Sequence, residues 1–199
     1  MSEIICVTNR KLCKTDFLTR IEEICRNHPK AVILREKDLS EGEYLKLASE
    51  VSSICERHDV LFIAHSFPAA ATTALHMPLA FFRKSDNIIC GTSVHSVDDA
   101  IKAERLGADY VIAGHVFDTD CKKGLPGRGL GFIKEITDNI SIPVYAIGGI
   151  DPDRFKSVIE AGAKGAAIMS GLMTCQDVDS YMSVFDISVT LGTPPCIAQ

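Results

Sequence analysis

Short runs of β-forming residues alternate with amphipathic helical stretches along the whole sequence. This alternation is typical of parallel strands joined by crossover helices, and the continuously apolar runs are typical of a sheet covered on both faces. The strand candidates are EIICVTN, AVILREK, VLFIAH, PLAFF, IICGTSV, YVIAGHVF, VYAIGGI and GAAIMSG. Because eight such units close most economically into a ring, we predict an α/β fold of the (β/α)8 TIM-barrel type.

Two helical segments carry matching end signals. Ser96 and Asp151 are expected to cap them, with Pro152 at the first helical position of the second segment. Gly107 and Gly162 are expected to end them, and each is followed by Ala and then by a strand. The same unit therefore occurs twice, which favours a barrel of near-equivalent units over an open sheet.

The size and charge of the chain exclude several classes of protein. A length of 199 residues with 46% hydrophobic content suits one domain, so we predict a single barrel over residues 1–199 with a loosely docked tail at 186–199. The net charge is −5 and the basic residues are scattered, which argues against a nucleic-acid partner. The sequence has no run near the ~20 apolar residues of a membrane span and no signal peptide, so we expect a cytoplasmic protein without a membrane partner. The oligomeric state stays open, a homodimer included.

The cysteines and histidines show neither a disulfide nor a metal-binding pattern. The eight cysteines are spread evenly, without a CxxC pair, and the six histidines lie far apart. A chain of this size needs no disulfide staples, so most cysteines are expected to be small buried hydrophobic residues. We predict no metal.

Polar residues cluster at the carboxyl ends of the predicted strands, where TIM barrels carry their chemistry. Arg35 and Lys37 end the second strand two residues apart and therefore point to the same side, and Ser93 and His95 end the fifth in the same way. A solvated strand end or an ion pair with a neighbouring carboxylate explains Arg35 and Lys37 equally well. Thr119 lies in the loop after the sixth strand.

Small residues follow the seventh and eighth strands, as Gly148-Gly149 and Ser170-Gly171. They expose backbone N–H groups where barrels commonly bind phosphate, although Gly pairs also form plain turns. We expect an anionic ligand across the barrel mouth. The cations expected to share it are Arg35, Lys37 and Lys122.

The segment GTSVHSVDDAIKAERLGADYVIAGHVFDTDCKKGLPGRGL, followed by SIPVYAIGGIDPDRFKSVIEAGAKGAAIMSG, resembles the thiamin phosphate synthase superfamily. Within it, GHVFDTDCKKGLPGRG is similar to the TenI branch, which contains thiazole tautomerases. The resemblance runs from LREK near position 35 to the MSG at 169–171 and places Met169 in the implied substrate site. It implies a TIM barrel that binds a phosphorylated thiazole.

The chain departs from the synthases of the superfamily at the implied metal site. Synthases resemble one another in an Asn-Asp-Arg turn after the third strand and an Asp after the fourth, which bind the magnesium that carries a pyrophosphate. Here the three places of the turn hold Ala64, His65 and Ser66, and the predicted fourth strand has no carboxylate before Asp86. Magnesium needs oxygen ligands, so these residues argue against it.

His115 lies where TenI-type enzymes resemble one another in having a histidine at the end of the sixth strand. Taken alone, a strand-end histidine is more often held by a backbone carbonyl. An imidazole with an ordinary pKa of about 6.5 can nevertheless accept and then donate a proton at neutral pH. The resemblance thus implies an isomerase, a thiazole tautomerase in which His115 catalyses, without a cofactor, the proton shift that aromatises a thiazole carboxylate phosphate. In the following loop Thr119 and Lys122 match the synthases, whereas Cys121 replaces a second Thr.

Two alternatives to the tautomerase stay open. The first is a thiamin phosphate synthase, which joins a pyrimidine pyrophosphate to the thiazole phosphate; the missing carboxylates argue against it. The second is a non-catalytic regulatory protein that binds thiamin intermediates, because ligand binding and catalysis draw on the same residues.

Overall fold

The computed structural model describes residues 3–65, 67, 73–119 and 124–185. Neighbouring strands pair in parallel in chain order and the last pairs with the first, so that the sheet closes into a barrel. The predicted (β/α)8 architecture is therefore confirmed. The strands are β1 (Glu3–Val7), β2 (Ala31–Leu34), β3 (Leu61–His65), β4 (Ala74–Pro78), β5 (Ile89–Val94), β6 (Tyr110–Gly114), β7 (Val144–Ile147) and β8 (Gly165–Ile168).

Helices surround the barrel, and in the described part of the chain none of them is long and apolar enough to cross a membrane. Short 3-10 turns lie at Arg10–Leu12 and Leu79–Phe81. The α-helices are α1 (Phe17–Arg26), α2 (Glu41–Arg57), α3 (Val97–Arg105), α4 (Gly129–Asn139), α5 (Pro152–Glu160), α6 (Ser170–Thr174) and α7 (Val178–Ser183).

The predicted end signals of α3 and α5 are confirmed. The side chains of Ser96 and Asp151 accept hydrogen bonds from backbone N–H groups in the first turns of α3 and α5, which satisfies donors that a helix start leaves unpaired. Gly107 and Gly162 follow the two helices with φ of +84° and +100°, a backbone conformation that L side chains rarely adopt. The repeated unit seen in the sequence is thus a repeated structural unit.

The fourth strand differs from the prediction. The apolar run PLAFF was predicted as the strand, but β4 covers Ala74–Pro78, and Leu79–Phe81 form a 3-10 turn. The physical reason is burial: Ala74, Leu75 and His76 are buried in the barrel wall, whereas Phe81 is 73% exposed. Apolar content alone misplaced the strand by four residues.

The core has two layers because side chains alternate along each strand. Along β1 and β2, Ile5 and Ile33 point into the barrel, whereas Cys6 and Leu34 pack outward against the helices. The layer inside the barrel is formed by Ile5, Val7, Ala31, Ile33, Ile63, Ala74, Tyr110, Ile112, Tyr145 and Ala167. These side chains fill the barrel beneath its carboxyl end.

Several predicted features lie outside the described residues. They are the tail at 186–199, Ser66 of the turn after β3, and Cys121 and Lys122 of the loop after β6. Among the described residues, the cysteines are free thiols.

Candidate functional site at the barrel mouth

A cavity of about 440 Å³ opens at the carboxyl ends of the strands, with residues of all eight strands or their following loops in its wall. Every described residue that the sequence predicted for the site lines it. These residues are Arg35, Lys37, Ser93, His115, Thr119, Gly148, Gly149, Met169 and Ser170. The structure thus brings together residues at the carboxyl ends of β2, β5, β6, β7 and β8 around one cavity.

Alternate residues of β2, Ala31 and Ile33, point into the barrel, and Arg35 and Lys37 continue this spacing into the cavity wall. Glu36 lies between them and points to the other side of the strand. Glu36 is buried, and its carboxylate accepts a hydrogen bond of 2.7 Å from the Thr8 hydroxyl. Thr8 in turn accepts the backbone N–H of Arg35 at 2.9 Å. This buried network fixes the chain immediately after β2 and so fixes where the two cations begin.

The carboxylates near Arg35 and Lys37 are paired with other cations. Arg10 contacts Glu36 at 3.4 Å and Asp38 at 2.8 Å. Arg35 and Lys37 make no ion pair with any described residue, so the described structure gives no support to the ion-pair interpretation of these two cations. The neighbouring Arg35 charge, together with burial, lowers the pKa of Lys37 from its ordinary value, as expected for two unneutralised cations side by side.

The loop after β7 approaches the end of β6 so closely that only glycine fits. A Cβ on Gly148 would lie 2.5 Å from the Cβ of His115, and a Cβ on Gly149 would lie 2.6 Å from the carbonyl oxygen of Asp118. Both glycines have positive φ, +107° and +64°. The tight packing places bare backbone next to His115 in the cavity wall.

His115 is buried, and one of its nitrogens has no partner among the described residues. Its Nε2 lies 3.2 Å from the carbonyl oxygen of Leu125, so Nε2 carries the hydrogen and donates it. Nδ1 is then an acceptor, and it is buried with no hydrogen-bond partner among the described residues. The ring thus keeps its contact with the backbone carbonyl and leaves Nδ1 available as an acceptor.

Two further histidines of the wall, His65 and His76, were not predicted as site residues. Their rings stack with centroids 5.8 Å apart. Burial lowers the pKa of His65 to about 4, helped by the charges of Arg35 and Lys37, and burial lowers the pKa of His76 to about 3. Both rings are neutral at pH 7. His76 escaped the sequence analysis because the fourth strand was placed after it; a histidine within the β-run ALHMP was the signal that could have found it.

The described residues do not fit the magnesium site of the synthases. The described wall of the cavity contains no Asp or Glu, and His65 occupies the turn where a carboxylate is expected. Within the described ranges, no group of three or more His, Cys, Asp or Glu side chains could hold a metal ion. Hard cations require oxygen ligands, whereas this wall offers cations and neutral imidazoles, which suit an anion.

The family model and the sequence relatives agree on one family. The family model described as "Thiamine monophosphate synthase" matches residues 4–172. A thiamine-phosphate synthase of Methanosarcina mazei is 37% identical over 184 residues, covering 86% of this chain and 76% of that protein, and one of Fusobacterium nucleatum is 32% identical over 187 residues, covering 88% and 91%. The structure of a thiamine phosphate pyrophosphorylase from Pyrococcus furiosus superposes with a TM-score of 0.81 at 27% identity and covers 92% of this chain and 93% of its own.

These relatives correct the function predicted from the sequence. The two sequence relatives are named as synthases, which are transferases, and the solved structure as a pyrophosphorylase, so the prediction of a TenI-type thiazole tautomerase, an isomerase, is wrong. The first alternative is the one that they support. The inference failed because it gave the missing carboxylates more weight than the similarity along the rest of the barrel.

Proposed function

The chain belongs to the thiamine monophosphate synthase family, and from this premise we propose that it is an enzyme that joins a pyrimidine, delivered as its pyrophosphate, to a phosphorylated thiazole. In this reaction the thiazole ring nitrogen forms a bond to the methylene carbon of the pyrimidine. The carbon–oxygen bond to pyrophosphate breaks, and pyrophosphate leaves with the electron pair. Both substrates and both products are anions.

The observation that carries this proposal is the charge of the cavity. Arg35 and Lys37 face it without carboxylate partners among the described residues, and its described wall contains no acidic side chain. Charge-assisted hydrogen bonds from these two groups would hold the pyrophosphate and stabilise the charge that develops on it as it leaves. In this chain the two side chains do this without help from a magnesium site built by the described residues.

The thiazole phosphate is assigned to the part of the mouth formed by the loops after β7 and β8. Gly148, Gly149 and Ser170 follow β7 and β8, and backbone N–H groups at these positions of a barrel suit a phosphate. Thr119 and Met169 line the space between them and are proposed to contact the ring. The placement leaves the ring nitrogen free to face a pyrimidine held toward β2.

His115 is proposed to contact the substrate through Nδ1. This buried acceptor has no partner in the described fold, so a substrate N–H group that reaches it would satisfy it. The reaction removes no proton from the thiazole ring. His115 therefore orients a substrate in this proposal and does not carry a proton.

Purified protein should form thiamine phosphate from the two substrates, and Lys37→Met should weaken this reaction. The substitution keeps the apolar stem and removes one of two cations, so we expect the KM for the pyrimidine pyrophosphate to rise about 10-fold. Lys46→Met is the matched control, because Lys46 is an exposed lysine on α2 outside the cavity wall. Rates are measured by the release of pyrophosphate, with and without a chelator of divalent cations.

The reaction should continue in the chelator, since the described wall offers no magnesium ligands. No product under any condition would refute the synthase proposal. If product forms but the chelator stops its formation, the synthase proposal stands and the expected independence from metal is refuted. Equal effects of Lys37→Met and Lys46→Met would show that the pyrophosphate does not bind at the end of β2.

A further inference from the structure

Ser93, His76 and Tyr110 form a chain of hydrogen bonds that starts inside the barrel and ends at the cavity. His76 Nδ1 lies 3.1 Å from the Tyr110 hydroxyl, and His76 Nε2 lies 2.8 Å from the Ser93 hydroxyl. Tyr110 and His76 are 5% and 2% exposed, so neither can exchange its partner for bulk water. Ser93 lines the cavity.

The pairing of three strands builds this chain. His76 of β4 is in register with Gly91 of β5, and Gly91 is in register with Tyr110 of β6. A Cβ on Gly91 would lie 2.1 Å from the Tyr110 ring, so the ring crosses β5 in the space that glycine leaves. Tyr110 can therefore reach past one strand to the histidine on the next.

The direction of each hydrogen bond follows from the number of hydrogens available. Burial and the nearby charge of Arg35 keep His76 neutral, so its ring has one donor and one acceptor nitrogen. If Nδ1–H donated to Tyr110, the buried tyrosine hydrogen would have no acceptor among the described residues, which costs about 1–3 kcal/mol. Every buried hydrogen is satisfied when Tyr110 donates to Nδ1 and Nε2–H donates to Ser93.

We propose that Tyr110 and His76 are positioning residues that make Ser93 a hydrogen-bond donor to the bound ligand. Because the Ser93 oxygen accepts the hydrogen of His76 Nε2, the hydroxyl hydrogen of Ser93 is free to be donated to a ligand in the cavity. Its partner must be an acceptor atom, either a phosphate oxygen or an unprotonated ring nitrogen. The proposal rests on the proposed function only in taking thiamine phosphate as a ligand of the cavity.

The first test determines the tautomer of His76 without any ligand. In protein labelled with ¹⁵N, the ring shifts of His76 should show hydrogen on Nε2 and none on Nδ1, and Tyr110→Phe should remove this preference. Tyr145→Phe is the control: Tyr145 packs edge-on against Tyr110, but its hydroxyl donates to Glu3. Hydrogen on Nδ1 in the wild type would overturn the proposal, whether or not the chain is a synthase.

The second test is a double-mutant cycle on affinity, measured by calorimetry with thiamine phosphate and with unphosphorylated thiamine. Ser93→Ala should weaken thiamine phosphate binding about 10-fold, the loss of one hydrogen bond to a charged group. Tyr110→Phe should weaken it by up to the same factor in the wild type but have no effect in the Ser93→Ala background. Effects that simply add would refute the relay through His76.

The two ligands distinguish the acceptor. A Ser93→Ala loss seen with thiamine phosphate alone assigns the contact to the phosphate, and a loss seen with both assigns it to a ring nitrogen. If neither ligand binds the wild type, the synthase proposal fails. The double-mutant cycle is then measured with inorganic pyrophosphate as the ligand. No effect of Ser93→Ala on any ligand that binds would overturn the role of Ser93.

Discussion

At the scale of single residues, the site contains charged and polar groups that have no ion-pair or hydrogen-bond partner among the described residues. Within the described part of the chain, Arg35 and Lys37 have no carboxylate partner and the buried Nδ1 of His115 has no hydrogen-bond partner. Glu36 is the opposite case, because Thr8 and Arg10 occupy its oxygens. An unmet buried group raises the free energy of the empty protein, and a ligand that satisfies it recovers that free energy on binding.

The role of His115 can be tested by separating its two nitrogens. His115→Asn places an amide oxygen near the position of Nδ1, whereas His115→Gln places an amide near Nε2, where it can still donate to Leu125. Since the proposal needs an acceptor at Nδ1, we expect kcat/KM to fall about 10-fold in His115→Gln and clearly less in His115→Asn. Steady-state kinetics of the two variants provides the comparison.

Two other outcomes would contradict the acceptor role. Equal losses of about 10²-fold or more in both variants would indicate that His115 carries a proton. Full activity in His115→Gln together with loss in His115→Asn would show that only the contact with Leu125 matters.

At the scale of elements, strand register determines which polar side chains meet. The rule that alternate residues share a face was enough to predict Arg35 and Lys37 together, because both continue one strand. It could not predict the contact of His76 with Tyr110, which requires the pairing of β4, β5 and β6. The register arises from contacts between distant parts of the chain, so it cannot be predicted from a single sequence.

Gly91 should be essential to this part of the barrel. Gly91→Ala would force a methyl group against the Tyr110 ring, so we expect unfolding to become easier by about 1–3 kcal/mol and the His76 contact to be lost. Gly42→Ala on α2 is the matched control, because a Cβ there meets nothing within 4 Å. That change should be neutral or stabilise by up to about 1 kcal/mol. Urea unfolding followed by circular dichroism measures both, and equal stabilities would show that the barrel accommodates the added methyl.

At the scale of the whole molecule, the barrel itself was the most predictable feature. Eight apolar runs and the repeated unit around α3 and α5 are global patterns, and they survive a local error such as the misplaced fourth strand. The cavity was predictable to the extent that it collects the ends of the strands. The reaction was not predictable in the same way, because a single residue such as His65 in the turn after β3 says less about the chemistry than the similarity along residues 4–172.

The buried histidines should make the whole fold sensitive to acid. His76 has a folded pKa of about 3, below the ordinary value of about 6.5 expected when unfolded, so the unfolded state binds more protons between these pH values. The stability due to neutral His76 is therefore complete above pH 6.5 and is lost as the pH falls toward 3. At pH 5 the loss is about 2 kcal/mol. His65, with a pKa of about 4, acts in the same direction.

Urea unfolding at pH 7.5 and pH 5 tests this expectation with His76→Gln, which cannot titrate in this range. The variant should lose about 2 kcal/mol less than the wild type between the two pH values. His28→Asn is the control, because His28 is exposed and has a φ of 45°, which asparagine tolerates. If the wild type and His76→Gln lose the same stability, His76 is not the group that takes up the proton.

The alternation of Arg35 and Lys37 with Glu36 and Asp38 also bears on how such a barrel evolves. The run holds two basic and two acidic residues, and only its parity decides which pair faces the ligand. Deleting one codon ahead of the run would turn the two acidic side chains toward the cavity in one step, whereas point substitutions would need two changes, at Arg35 and Lys37. In this scaffold, the charge that the mouth presents to a ligand therefore depends on the register of one strand.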